Sequence, residues 1–126
     1  MVRVLVAEDD SDMRDLVVEV LRKDGYEVEQ AVDGAQLFVR IAEAIVREPH
    51  GGSIDVVVSD IRMPGGTALE LVERLFYARR RIPFILMTAF GDDDTRRRAE
   101  RAGAVLFDKP LNLSDLRAAV KRVTSR

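Results

Sequence analysis

Four short apolar runs, none alternating with polar residues, constrain this chain more than any other feature. Val2 to Ala7 is apolar apart from Arg3, and Ile54 to Val58 apart from Asp55. Ile82 to Met87 carries Pro83 near its start, and Ala104-Val105-Leu106-Phe107 is unbroken. A strand with one wet face alternates, whereas a strand covered on both faces does not. These runs therefore predict strands sandwiched between helices. Pro83 fits there because the missing N–H costs least at a strand's start. A fifth, more polar segment, Glu27-Val28-Glu29-Gln30-Ala31, reads as an edge strand.

Helical patterns fill the gaps. Met13, Leu16, Val17, Val20 and Leu21 recur at helical spacing, with Asp10 or Ser11 as cap and Gly25 beyond the end. Leu37, Phe38, Ile41 and Ile45 form a second stripe, and Leu69, Val72, Leu75 and Phe76 a third behind Thr67. Residues 92–102 give a weaker helix whose clear buried candidates are Ala99 and Ala102. Its Asp92-Asp93-Asp94 start and arginine-rich remainder suit the helix dipole. Leu113, Leu116, Val120 and Val123 make the fifth, capped by Asn112 or Ser114. Strand and helix thus alternate five times, which predicts an α/β fold with a parallel sheet and helices on both faces. The 126 residues fit one domain, 1–126. One connection, 47–53, is long and glycine-rich and reads as a surface loop.

Composition narrows the function. A chain 47% hydrophobic and 33% charged buries a core and stays wettable. A net charge of −2 excludes a globally basic nucleic-acid binder. The absence of Cys removes disulfides, thiolate metal sites and Cys nucleophiles, and a single His, His50, removes any multi-His cage. His50 sits beside Pro49 and Gly51 in the loop and reads as solvated. No run approaches the roughly 18–20 apolar residues of a membrane span, and Met1 leads directly into the first strand. A cytoplasmic domain with neither span nor leader is expected.

The chemistry lies in where the acids fall. Glu8, Asp9 and Asp10 follow the first apolar run, and Asp60 follows the Ile54–Val58 run, just beyond Ser59. Open α/β sheets place their sites outside the carboxyl ends of the strands, where strand order reverses. With order 2-1-3-4-5, that point lies between strands one and three, so Glu8, Asp9 and Asp60 converge there. Crowded carboxylates repel, and an all-oxygen set suits Mg²⁺ or Mn²⁺. Thr88 and Lys109, at the ends of strands four and five, add a hydroxyl and a mobile point charge. An acidic pair after one strand reads as a turn or cap; joint placement at four strand ends reads as a site.

These residues carry a resemblance. Val4-Leu5-Val6-Ala7-Glu8-Asp9-Asp10, Ser59-Asp60-Ile61-Arg62-Met63-Pro64-Gly65, Leu86-Met87-Thr88-Ala89 and Asp108-Lys109-Pro110 together resemble the receiver domain of two-component response regulators, along essentially the whole chain. The resemblance implies a single flavodoxin-like (βα)5 domain. It implies Asp60 as phosphoacceptor, with Glu8, Asp9, Asp60 and the backbone carbonyl of Arg62 holding Mg²⁺. Thr88 would bond the phosphoryl group, Lys109 would pair with it, and Lys109-Pro110 would be cis. The implied donors are a sensor histidine kinase or a histidine phosphotransfer protein. The implied output is a protein partner or fused domain engaged through helix 4, strand 5 and helix 5, a face also suited to a homodimer; direct nucleic-acid or membrane binding is not expected. The family commonly carries an aromatic three residues before the lysine; here Leu106 stands there, with Phe107 next.

Rival readings differ in class. A Mg²⁺-dependent phosphohydrolase with an aspartyl-phosphate intermediate typically has a second Asp two residues after the nucleophile, where this chain has Arg62. A pseudo-receiver interaction module would not need Glu8, Asp9, Asp60, Thr88 and Lys109 intact together. A flavin carrier of the same topology would show a Ser/Thr-rich phosphate loop after strand one, and none is present. The arginines of helix four read as a solvated face, or as a partner surface.

Overall fold

The computed structural model describes residues 1–47 and 53–125. His50 and most of the glycine-rich loop lie outside the described residues. The main sheet has five strands: β1 Arg3–Ala7, β2 Glu27–Ala31, β3 Val56–Asp60, β4 Phe84–Thr88 and β5 Val105–Asp108. All pair in parallel, in the order β2-β1-β3-β4-β5. Five helices alternate with them: α1 Ser11–Lys23, α2 Gly34–Arg47, α3 Ala68–Tyr77, α4 Asp93–Arg101 and α5 Leu113–Thr124. This is the flavodoxin-like arrangement expected from the sequence, with the polar strand β2 at an edge.

The apolar runs are explained by two separate cores, one on each face of the sheet. Side chains alternate along a strand, so each strand feeds both. Leu5, Ala7, Val57 and Leu86 face α2, α3 and α4, where Leu37, Ile41, Leu69, Val72, Leu75 and Ala99 are buried. Val4, Val6, Val56, Val58, Ile85 and Met87 face α1 and α5, against Val17, Val18, Leu21, Leu116, Ala119 and Val120. Each fully buried aliphatic side chain contributes about 1.5–3 kcal/mol. Strands β1, β3 and β4 therefore anchor whatever sits at their ends.

The side chains of Asp10, Asp33, Thr67, Asp92 and Asn112 cap the five helices, each accepting from a backbone N–H of the first turn. Two stripe residues face outward. Leu16 is 46% exposed, because Val17, Val18 and Leu21 centre the buried face and Leu16 lies about 100° back from Val17. Phe76 sits at the rim of α3, covered by Tyr77 edge-on and by the Arg81 guanidinium rather than by the core. After β3 the chain forms a short antiparallel ladder, Arg62 opposite Thr67 and Met63 opposite Gly66, which the sequence reading does not anticipate.

Candidate functional site

The sheet's carboxyl edge brings the predicted acids together. Glu8 follows β1 directly and is fully buried, Asp9 is exposed, and Asp60 ends β3 with its side chain 13% exposed. Carboxylate oxygens of Glu8, Asp9 and Asp60 all lie within 4.8 Å of one another. Asp10 takes no part in this group. Its carboxylate caps α1, accepting from Asp12 N–H at 3.0 Å and Met13 N–H at 3.2 Å.

Backbone pairing fixes the geometry. Ile61 N–H donates to the Met87 carbonyl at 2.9 Å, and Lys109 N–H donates to the Thr88 carbonyl at 2.8 Å. These bonds extend the sheet register past the strand ends and carry Lys109 toward the acids. Its ammonium donates to Glu8 Oε1 at 2.9 Å and to Asp60 Oδ2 at 3.3 Å. The Lys109–Pro110 peptide is cis, as expected.

Electrostatics follow from burial. Burial pushes the Glu8 carboxyl above its usual range, opposed by the Lys109 hydrogen bond and a weaker one from Asp10 N–H. Burial alone would lower the Lys109 ammonium, but the Glu8 hydrogen bond and the charges of Asp60 and Glu8 outweigh it and hold the ammonium above its ordinary value. One cation thus faces three carboxylates. The residual negative charge on an all-oxygen donor set fits a small divalent cation.

Thr88 reaches the same edge but is turned to the loop after β4. It is 2% exposed, and its hydroxyl accepts from Phe90 N–H at 3.1 Å. Phe90 itself is 74% exposed. Arg62 lies two residues beyond Asp60, in the short ladder, with its side chain exposed.

Other residues at this edge are not legible in the motif pattern. Arg14 on α1 donates to the Glu8 carbonyl at 2.8 Å and to Gln30 Oε1 at 3.2 Å, tying the β1–α1 turn to the edge strand. Buried Ser59 donates to the Asp60 carbonyl at 2.8 Å. Three of the four arginines on helix four pair within the chain: Arg96 with Asp108 at 2.6 Å, Arg98 with Glu73 at 2.5 Å, and Arg97 with Asp94 at 3.9 Å.

A parallel (βα)5 sheet with carboxylates and a lysine gathered at its switch point defines a class: flavodoxin-like domains that bind and react at the carboxyl ends of their strands. Within that class, the response regulator receiver domain model matches residues 4–121, and the chain belongs to this family, the receiver domains of two-component response regulators. It is 34% identical over 125 residues to the transcriptional regulatory protein PdtaR of Mycobacterium tuberculosis, covering 98% of this chain and 57% of that protein. The chain therefore spans little more than half the length of that relative. It is 31% identical over 121 residues to sporulation initiation phosphotransferase F of Bacillus subtilis, covering 95% of this chain and 91% of that protein. Among solved structures it resembles a response regulator receiver domain protein from Clostridium thermocellum, with a TM-score of 0.84 at 26% identity, covering 98% and 94% of the two chains. Membership of this family is consistent with phosphorylation-controlled signalling. No described helix is long and apolar enough to cross a membrane.

Proposed function

We propose that residues 1–126 act as one receiver module that switches when Asp60 is phosphorylated. The observation supporting this most is the convergence on one point of Glu8, Asp9, Asp60 and the Lys109 ammonium, which bridges Glu8 and Asp60. An Asp60 oxygen attacks the phosphorus of a phosphohistidine, or of a small acyl phosphate. The P–N or P–O bond to the donor breaks, and its electron pair leaves with the donor. The protein supplies position and charge balance, which is most of what phosphoryl transfer requires.

Glu8, Asp9, Asp60 and the Arg62 carbonyl are the residues that would hold Mg²⁺, with Mn²⁺ as an alternative; when bound, the cation neutralises charge on the phosphoryl oxygens. Lys109 adds its positive charge from the β5 side. Thr88 donates its hydroxyl proton to the phosphorylated group, and the loop after β4 follows.

The module assists its own phosphorylation and dephosphorylation and turns over no other substrate. Its donor is a histidine kinase or a histidine phosphotransfer protein in the cytoplasm. Its output is the α4, β5 and α5 face, read by a protein partner, a fused domain or a second copy. The relative named a phosphotransferase, 91% of which is covered by the match, supports a role in phosphoryl transfer.

Incubation with acetyl phosphate and Mg²⁺, followed by intact mass, tests this reading. One added phosphoryl group is expected, absent in Asp60→Asn. Undiminished labelling of Asp60→Asn would overturn the assignment, and sustained phosphate release from p-nitrophenyl phosphate would favour a hydrolase.

A further inference from the structure

The loop after β4 is held at its far side by an ion pair outside the acid cluster. Asp108 ends β5 and stands opposite Thr88 in the sheet register. Arg96, on α4, donates from Nη2 to Asp108 Oδ2 at 2.6 Å. The backbone of Gly91 lies against this pair. A Cβ at Gly91 would stand 2.5 Å from Asp108 Oδ1, 3.1 Å from Arg96 Nη2 and 3.2 Å from Thr88 Cγ2. A side chain at Gly91 would press on the ends of the ion pair, which together with Thr88 packs beside this position.

These contacts form a continuous chain. The Thr88 hydroxyl holds Phe90 N–H, Phe90 precedes Gly91, and Gly91 is seated against Asp108 and Arg96. Swinging Thr88 Oγ1 toward Asp60 stretches its bond to Phe90 N–H, so residues 90 and 91 must follow or lose that bond. A shift of Gly91 toward α4 or β5 presses on the joined Arg96 and Asp108 side chains, so the pair resists it.

We infer that the Arg96–Asp108 pair is a latch on the β4–α4 loop that favours the resting position of Thr88. Arg96 and Asp108 are positioning residues, acting through Gly91 and Thr88. The inference rests on the assignment of Asp60 and Thr88 above. It gives α4 and β5 a mechanical connection at a place where Leu106, half-buried on the α4 side of the sheet, supplies no ring. Both side chains are about half exposed, 43% and 53%, so the pair is weak in absolute terms. A weak pair is enough to tilt two nearly balanced states several-fold.

The test uses the whole chain, ¹⁵N-labelled, as Arg96→Gln, Asp108→Asn, the double variant and Arg96→Lys. The amide shifts of Phe90 and Gly91 in untreated and acetyl phosphate/Mg²⁺-treated wild type define a line between resting and switched states. Without phosphodonor, both single variants are expected to move these two amides along that line by the same amount, and the double variant no further. The initial rate of Asp60 labelling is expected to rise about two- to fivefold in all three. Arg96→Lys, which keeps the charge, is expected to behave as wild type. Unmoved amides, slower labelling, or effects that add in the double variant would overturn the latch. If Asp60→Asn is labelled as fast as wild type, the phosphoacceptor reading fails instead. The latch then stands or falls on whether Phe90 and Gly91 move together in both single variants.

Discussion

The Lys109 ammonium lies 2.9 Å from Glu8 Oε1, joining two residues 101 positions apart in the chain. Glu8 is fully buried and makes this contact beneath the more open Asp60. The lysine therefore has a structural task before any phosphoryl group arrives. It supplies the positive charge that makes a buried carboxylate tolerable.

Lys109→Met removes that charge and leaves the Glu8 carboxylate with the Asp10 N–H as its one hydrogen-bond donor among the described residues. In metal-free urea unfolding, a loss of about 1–3 kcal/mol is expected. On the proposed reading Mg²⁺ is held by the folded state alone, so saturating Mg²⁺ should restore part of the loss. The variant should also bind Mg²⁺ more tightly than wild type, because a competing cation is gone.

Asp9→Asn should behave differently. Asp9 is exposed and carries no share of the core. The stability change is expected within about 0.5 kcal/mol, while the Mg²⁺ dissociation constant rises at least tenfold (roughly 1.4 kcal/mol). Isothermal titration and thermal melting read the two effects separately.

Glu73 on α3 receives Arg98 Nε at 2.9 Å and Nη2 at 2.5 Å, a fork that holds its carboxyl below the usual range. A lowered folded value means the contribution is fully present above the ordinary glutamate value near ~4.3 and is lost as pH falls through the folded value. Both side chains are partly exposed, so solvent screening limits the pair to about 0.5–1 kcal/mol. Glu73→Gln should lose that amount at pH 7, and the difference from wild type should close as acid is added. Urea midpoints between pH 7 and pH 3 check the sign.

Gly34→Ala sets two effects against each other. Alanine is a better helix former by at most about 1 kcal/mol, but Gly34 is only the first residue of α2. Its added Cβ would stand 2.7 Å from the Gly66 carbonyl oxygen and 2.9 Å from Gly66 N, both backbone atoms. The clash should win, costing about 1–3 kcal/mol. Gly34 N–H also donates to the Pro64 carbonyl at 2.7 Å, so the segment after Asp60 should shift with it. Differential scanning calorimetry reads the first effect, and the initial rate of labelling by acetyl phosphate reads the second.

Much of this was legible in residue order. Three of the four unalternating runs announced strands buried on both faces, while the fourth, Ala104 to Phe107, became the half-buried edge strand β5; placing the acids at strand ends brought Glu8, Asp9, Asp60 and Lys109 to one edge. Face assignment was harder where apolar residues crowd a helix. Leu16 and Val18 are equally apolar, and only the position of the sheet decides that Val18 is inside. The pairings of Arg96 with Asp108 and Arg98 with Glu73 join different elements across 12 and 25 residues, and no local pattern encodes them. Thr88 was placed correctly at its strand end, but the direction of its hydroxyl depends on the loop that follows.

Helix α4 contributes one fully buried residue, Ala99, where α1, α2, α3 and α5 contribute three or four each. Arginine pairs to neighbouring elements supply much of its remaining attachment. Apolar burial is little affected by dissolved salt at ordinary concentrations, whereas exposed ion pairs weaken as added salt shortens the Debye length from about 10 Å at 0.1 M to about 3 Å at 1 M. The helix nearest the Thr88 loop is therefore the one whose docking depends most on ionic strength. Amide hydrogens in 93–101 should exchange faster as salt is raised, while those of β1, β3 and β4 keep their protection.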